Sequence, residues 1–212
     1  MLKKGEQTKE HILVCAEKVF SRKGYYESQV SDISQMAQIA KGTIYQYFKN
    51  KESLYISLIE KYVVEWENKV ALNLSNFMGQ GAGQDYARAY LRHRIAKSMA
   101  FFAENQDRAN IILRMSAGLN DVIEHVVRIF EDSVMKAIVD DIKIGQQFGH
   151  INSNMNIDFA GNVILGGVLR ISYFYFVLKK QNYNIHDMDS LTDEMVKLIE
   201  NTLKMYQTDN NK

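Results

Sequence analysis

Apolar residues in this chain recur every three or four positions almost from end to end. That is the period of a helix buried on one face. Ile12, Ala16, Val19 and Phe20 mark a first helix over residues 6–23, and Gly24 follows as a stop free to take positive φ. Val30, Ile33 and Ala37 mark a second helix, with Ser28 as its candidate N-cap. A short third helix covers residues 41–48, with Ile44 and Phe48 on one side. Asn50 then caps a long fourth helix, with Ser53 three residues on. Leu54, Leu58, Tyr62, Trp66 and Val70 repeat along it towards residue 77.

Gly79, Gly81 and Gly83 lie within five residues and form the clearest breaker in the chain. Further helical stretches cover residues 85–103, 106–117, 121–144, 157–179 and 190–206, with Asn156 and Ser190 as N-caps of the last two. Residues 145–154 read as a loop, and the polar tail from residue 207 should fray. No alternating, β-branched run of strand length stands between turn signals, and there is no internal repeat. The expectation is an all-α chain of about nine helices.

Composition narrows this picture. Proline is absent, 46% of residues are hydrophobic and 24% charged, which suits a folded globular chain rather than a disordered one. A single cysteine, Cys15, cannot form an internal disulfide or build a cysteine-based zinc site. The first residues lead into an amphipathic segment, so no signal peptide is expected. The most apolar stretch, residues 163–178, is short of the roughly 20 apolar residues of a membrane span and contains Arg170 and Ser172. A buried helix, a cytoplasmic location and no membrane association are expected. The net charge of +1 conceals an asymmetry. Residues 1–51 carry nine Lys/Arg against five Asp/Glu, and the remainder carries seventeen against twenty. A basic start on a mildly acidic body is a pattern of nucleic-acid-reading heads, although a few charges either way would erase it.

The second and third helices are separated by only Gln38, Ile39 and Ala40, the spacing of a helix-turn-helix in which one helix braces and the next enters the major groove. Ser34 and Ala37 are small where two helices must approach, and Ile33, Ile39, Ile44 and Phe48 are spaced to share a core. On the third helix Lys41, with Lys49 and Lys51 beyond it, supplies charge for phosphates. The amides near Gly42 and Thr43 are placed to hold a phosphate oxygen. Tyr45, Gln46 and Tyr47 offer hydrogen-bonding groups, and glutamine can pair in two-pronged fashion with adenine. An ordinary amphipathic helix with a solvated basic face has the same composition.

The stretch Gly24-Tyr25, Ser28-x-Val30-x-Asp32-Ile33, Ala37-x-Ile39-Ala40-Lys41-Gly42-Thr43-Ile44-Tyr45-x-Tyr47-Phe48-x-Asn50-Lys51-Glu52-x-Leu54 resembles the N-terminal domain of TetR-family transcriptional regulators over about residues 7–55. Two positions depart from the family pattern. Gln38 stands where the turn usually has glycine, so an unchanged turn would strain its backbone, and Ser34 replaces a usual alanine. The resemblance implies a helix-turn-helix DNA-binding domain over residues 1–51 and a helical ligand-binding and dimerisation domain over residues 52–212. It also implies a homodimer that binds a palindromic double-stranded operator, acts as a repressor, and lets go on binding an apolar small molecule. At matching positions it points to Ser28, Lys41, Gly42, Thr43, Tyr45, Gln46, Tyr47 and Lys51 as DNA contacts. Ser28, Lys41, Thr43 and Lys51 would grip phosphate, and Gln46, with Tyr45 and Tyr47, would face bases.

The rest of the chain carries no such signature. It is rich in methionine and aromatic residues, which suit an adaptable apolar lining and equally suit plain core packing. If the cavity lies among helices four, five, seven and eight, as is usual in the family, Trp66, Met99, Phe102, Met115, Val126, Phe130 and Tyr173 are candidates for it. Arg170, inside an apolar stretch, must be paired or reach water. It could meet an acidic ligand or a carboxylate across an interface. Gly161, Gly166 and Gly167 suggest close approach of the eighth helix to another. With Leu191, Met195, Leu198, Thr202 and Met205 on the ninth, they point to a dimer through the last two helices.

Catalysis and resident cofactors are not expected. His11, His93, His125, His150 and His186 lie on different segments without metal-ligand spacing, and no nucleophile turn or phosphate-cradling loop is present. Two other readings compete with a ligand-responsive regulator. One is a DNA-binding dimerisation factor that senses nothing, and the other is a helical carrier of a lipid or other hydrophobe with a vestigial head.

Overall fold

The computed structural model describes residues 4–72, 84–115, 121–179 and 185–204. Those residues form nine helices and no strand. They are α1 Lys4–Glu27, α2 Val30–Ala37, α3 Lys41–Tyr47, α4 Lys51–Val70, α5 Gln84–Ala103, α6 Gln106–Met115, α7 Asp121–Gln147, α8 Ile157–Ser172 and α9 Ile185–Lys204. A π-helical turn, Tyr173–Leu178, continues α8. The expected glycine breaker at 79–83, the end of α4 near Phe77, residues 116–117 and Met205 lie outside the described residues.

Most helix ends follow the local chemistry. Gly24 takes φ 76°, and the chain changes course there before the last turn of α1. Asn50 and Ser53 cap α4 reciprocally: the Ser53 amide donates to Asn50 Oδ1 at 2.7 Å and the Asn50 amide to Ser53 Oγ at 3.1 Å. Asn156 accepts from the Phe159 amide and opens α8. Two expected caps are corrected. The N-cap of α2 is Gln29, whose amide donates to Asp32 Oδ2 at 3.0 Å. α9 begins at Ile185, with Asp187 in its first turn, where an acid favours the helix N-terminus, so Ser190 lies inside it.

The chain divides into two compact units, residues 1–65 with 105–130, and residues 66–104 with 131–212. The boundary expected at residue 51 is not where the packing divides. α6 belongs with the head because it packs on α1. In this first unit Glu17 Oε1 accepts from the Tyr62 hydroxyl and from Asn105 Nδ2, both at 2.9 Å. Asn110 Nδ2 reaches Ser21 Oγ at 3.3 Å, and Arg108 donates to Glu65 at 2.9 Å. Around these polar ties Ile12, Ala16, Val19, Phe20, Ile33, Ile44, Phe48, Leu54 and Leu58 are buried together. Burial and the Glu17 charge push the Tyr62 hydroxyl well above its ordinary pKa, so it remains a donor.

In the second unit α5 is clasped to α9. Arg92 donates to Asp193 at 2.7 Å and Asp189 at 2.9 Å. α8 approaches α7 at Gly161, where an added Cβ would lie 2.8 Å from the Met135 sulfur, so any larger residue there would make that flexible side chain shift. The segment Ile157–Leu178 is long and apolar enough to cross a membrane by length and composition, with 39% of its most apolar window buried.

The turn between α2 and α3 closes as a Schellman motif: the Ile39 amide donates to Ser34 O at 3.1 Å and the Gln38 amide to Gln35 O at 3.2 Å. Gln38 therefore sits at φ 54°, ψ 40°, the sole non-glycine residue with positive φ among those described. A left-handed conformation costs an L side chain about 1–2 kcal/mol, offset by glycine's greater freedom when unfolded. Gln38→Gly is accordingly expected to stabilise the protein by about 0.5–1 kcal/mol in thermal or urea melts. A loss of stability would mean that the Gln38 side chain supplies more than the strain removes.

Candidate nucleic-acid interface and effector body

α3 has only seven residues, too few to hold its shape alone in water. Ile44 on its inner side and Phe48 just past its end are buried in the first unit, which fixes its rotation. The opposite side then presents Lys41, Gly42, Tyr45 and Gln46 to solvent. A Cβ on Gly42 would meet nothing within 4 Å, so no neighbour within the chain requires glycine there. The Lys41 ammonium lies 6.0 Å from the centre of the Tyr45 ring, leaving its charge outward. These four residues make one exposed, hydrogen-bonding, cationic face.

The other expected contacts behave differently. Ser28 is 1% exposed, and its hydroxyl donates to the Gly24 carbonyl, tying the end of α1 to the start of α2. The Thr43 amide donates to Ala40 O at 2.9 Å, so it is not open to a phosphate, and the Thr43 side chain is partly exposed. Tyr47 is partly buried, with its hydroxyl against α1 at Gly5.

Lys51 departs furthest from expectation. Its ammonium donates to Tyr25 O at 2.7 Å, Ser28 O at 2.9 Å and Tyr26 O at 3.4 Å, and lies 4.3 Å from the Tyr25 ring centre. All three N–H donors are directed at backbone carbonyls, so the side chain braces the α1–α2 connection rather than reaching outward. Burial lowers its pKa. Beside it, Lys23 pairs with Asp32 at 2.9 Å, and this hydrogen bond with the Gln29 amide holds the Asp32 carboxyl below its ordinary pKa. Asp32 therefore stabilises the head above the usual carboxylate range, and the contribution is lost as pH falls through its depressed value.

The cavity candidates divide between the units. Trp66, Met99 and Phe102 are buried in the second, Tyr173 is partly exposed there, and Val126 and Phe130 are buried in the first. The Met115 side chain lies outside the described residues. Arg170 is exposed, its guanidinium 5.5 Å from the Tyr173 ring centre. The polar core of the second unit went unread in the sequence. Arg94 donates to Asp141 Oδ2 at 2.9 Å, and the Tyr90 hydroxyl to Asp141 Oδ1 at 2.6 Å. Arg94 also lies 5.6 Å from the Trp66 ring centre, and the Trp66 indole donates to Ser98 Oγ at 3.2 Å. Burial pushes the Asp141 carboxyl up, against the pull of Arg94 and Tyr90. The four-residue spacing of Tyr90 and Arg94 was the available signal, since it sets both on one helix face.

A braced turn, a short outward-facing helix and a larger helical body define the class: a helix-turn-helix DNA-binding regulator. The sequence profile of bacterial regulatory proteins of the tetR family matches residues 12–58, so the head of this chain carries the DNA-binding domain of that family. The fatty acid metabolism regulator protein of Bacillus subtilis is 24% identical over 196 residues, covering 89% of this chain and 91% of that one. The transcriptional repressor NicS of Pseudomonas putida is 25% identical over 190 residues, covering 87% and 80%. Among solved structures, the fatty acid degradation regulator FadR of Bacillus halodurans superimposes with a TM-score of 0.78 at 21% identity, covering 93% and 96%. FadR of Bacillus subtilis in complex with stearoyl-CoA gives 0.74 at 24% identity, covering 90% and 96%.

Lys51→Ala is expected to destabilise the head by about 1–2 kcal/mol through the lost charged hydrogen bonds. It should weaken DNA binding without changing the slope of log affinity against log salt. A slope reduced by about 1 per site at unchanged stability would return Lys51 to phosphate contact.

Proposed function

We propose that the protein is a dimeric repressor whose operator affinity falls when its body binds a long-chain acyl thioester. The observation that carries the DNA part is the exposed face Lys41-Gly42-Tyr45-Gln46, held outward by buried Ile44 and Phe48. Lys41 grips phosphate, Gln46 reads a base edge with Tyr45 beside it, and the bare Gly42 lets the DNA backbone approach. The effector class rests on the Bacillus subtilis relative solved with stearoyl-CoA and similar over nine-tenths of this chain. The apolar, methionine- and aromatic-rich second unit suits an acyl chain.

The dimer reading is supported by an exposed apolar stripe. Phe159, Val163, Phe174 and Leu178 lie outward along α8 and its π turn, with Phe159 65% exposed, and Leu198 of α9 is 61% exposed. Gly166 lies in the same stripe with open space before it. Arg170 lies in it too, which favours pairing with a carboxylate across the two-fold over a role toward ligand. Gly166→Leu should weaken the dimer, and sedimentation at micromolar concentration reads the change. An unaltered dimer removes Gly166 from the interface.

Lys41→Ala is expected to weaken specific and random DNA alike and reduce the salt slope by about 1 per site. Gln46→Ala should relax preference at one position per half-site, by about 1–3 kcal/mol of discrimination. Equal loss across all sequences in a randomised-operator selection would end the base-reading role. For the switch, operator affinity with and without stearoyl-CoA must change by the same factor as stearoyl-CoA affinity with and without operator. Tight effector binding with unmoved operator affinity would leave a factor that does not sense.

A further inference from the structure

α3 explains little of the positive charge carried by the first 51 residues. That helix has a single cation, Lys41. Lys51 is turned onto backbone carbonyls, and Lys23 is paired with Asp32. Two further lysines, Lys4 and Lys9, stand in the first two turns of α1. Both are exposed, and neither pairs with a carboxylate among the described residues.

Contacts within the head fix what each side of those turns meets. Gly5 and Lys9, four residues apart on one side, meet the end of α3. A Cβ on Gly5 would lie 3.8 Å from the Tyr47 hydroxyl, and the Lys9 ammonium lies 5.7 Å from the centre of the Phe48 ring. Lys4 and His11, seven apart, share one flank of that side, and His11 Nε2 donates to Ala37 O at the end of α2 at 3.1 Å. Glu6 and Glu10 share the other flank, where Glu10 pairs with Lys61 of α4. Charge is therefore sorted around the start of α1, with lysines toward the helix-turn-helix and acids toward α4. Tyr47 lies about 100° around α3 from the exposed Gln46, so the start of α1 flanks the outward face of α3 at its C-terminal end.

We infer that Lys4 and Lys9 grip phosphates of the bound DNA duplex at the end of α3 remote from Lys41. This deepens the DNA-binding reading and rests on it. Seven residues at about 1.5 Å each make α3 about 10 Å long, and the major groove is about 12 Å wide. With α3 in the groove, a cation at its start and cations past its end meet the two phosphate backbones that border it. An aromatic ring takes no conventional hydrogen bond from an ammonium, so the three N–H donors of Lys9 remain open to phosphate oxygens. Lysines so placed fix the register of the head on the duplex and add affinity without reading bases.

The test uses the full-length protein and two duplexes of equal length, one recovered by selection from randomised sequences and one of random sequence. Affinity is measured over a series of salt concentrations. Lys4→Ala and Lys9→Ala together are expected to weaken both duplexes alike. They should reduce the slope of log affinity against log salt by about 2 per half-site, about 1 for each lysine. The base preferences recovered by selection should not change. Lys4→Arg with Lys9→Arg, which keep the charge, should keep the slope. Lys18→Ala removes the same charge from an exposed position of α1 nine residues beyond Lys9, about 13 Å further along the helix, and should leave the slope as it is. A lower melting temperature and weaker binding at an unaltered slope would show that the two lysines only support the fold of the head, and would overturn the inference. If Lys41→Ala reduces the slope and the α1 variants do not, the inference fails and the DNA-binding reading stands. If the parent binds neither duplex, both fall.

Discussion

A seven-residue helix cannot stay helical in water by itself, yet the second helix of the helix-turn-helix, α3, is that short. The burial of Ile44 and Phe48 supplies what local propensity lacks. It fixes which side of α3 faces in and therefore which side chains face out. The turn before it is held in a left-handed conformation by two backbone hydrogen bonds despite a glutamine at the strained position. The connection behind it is held by one ammonium directed at three carbonyls. The outward face of α3 is thus set by packing and backbone closure, and it consists of Lys41, Gly42, Tyr45 and Gln46.

The second unit solves a different problem. Its core is largely apolar, but it also contains charged and aromatic groups in register. Arg94 is balanced by Asp141 and Tyr90 and lies against Trp66, so a partly buried cation is paired on one side and packed on the other. A cation held this way lends fixed geometry to α5. The clasp of Arg92 on α9 adds to it at the surface, where exposed ion pairs contribute less.

The helical pattern was readable nearly throughout, because apolar spacing reports which face a helix buries. The positive φ at Gly24, the caps at Asn50 and Asn156 and the strained Gln38 followed from residue type and position. What could not be read was direction. Lys51 has the composition of a phosphate contact, and only the fold shows three carbonyls converging on it. Ser28 has the composition of a cap, yet the backbone places Gln29 at that position and buries Ser28. Arg170 looked anomalous in an apolar run and proves exposed, since the run itself has an outward stripe. The compact division at residues 65, 105 and 130 was equally hidden, because nothing in the sequence reveals that α6 packs on α1.

That hidden packing bears on how such regulators can be recombined. Glu17 of α1 accepts hydrogen bonds from Tyr62 of α4 and from Asn105 at the start of α6, so the DNA-reading module is discontinuous in the gene. A head transplanted onto a foreign body at residue 51 would bring Glu17 without either donor, leaving a carboxylate facing a surface evolved for something else. Grafts that exchange operator preference while preserving foldedness must therefore carry α6 along as a second insert. Natural shuffling of heads and bodies faces the same seam.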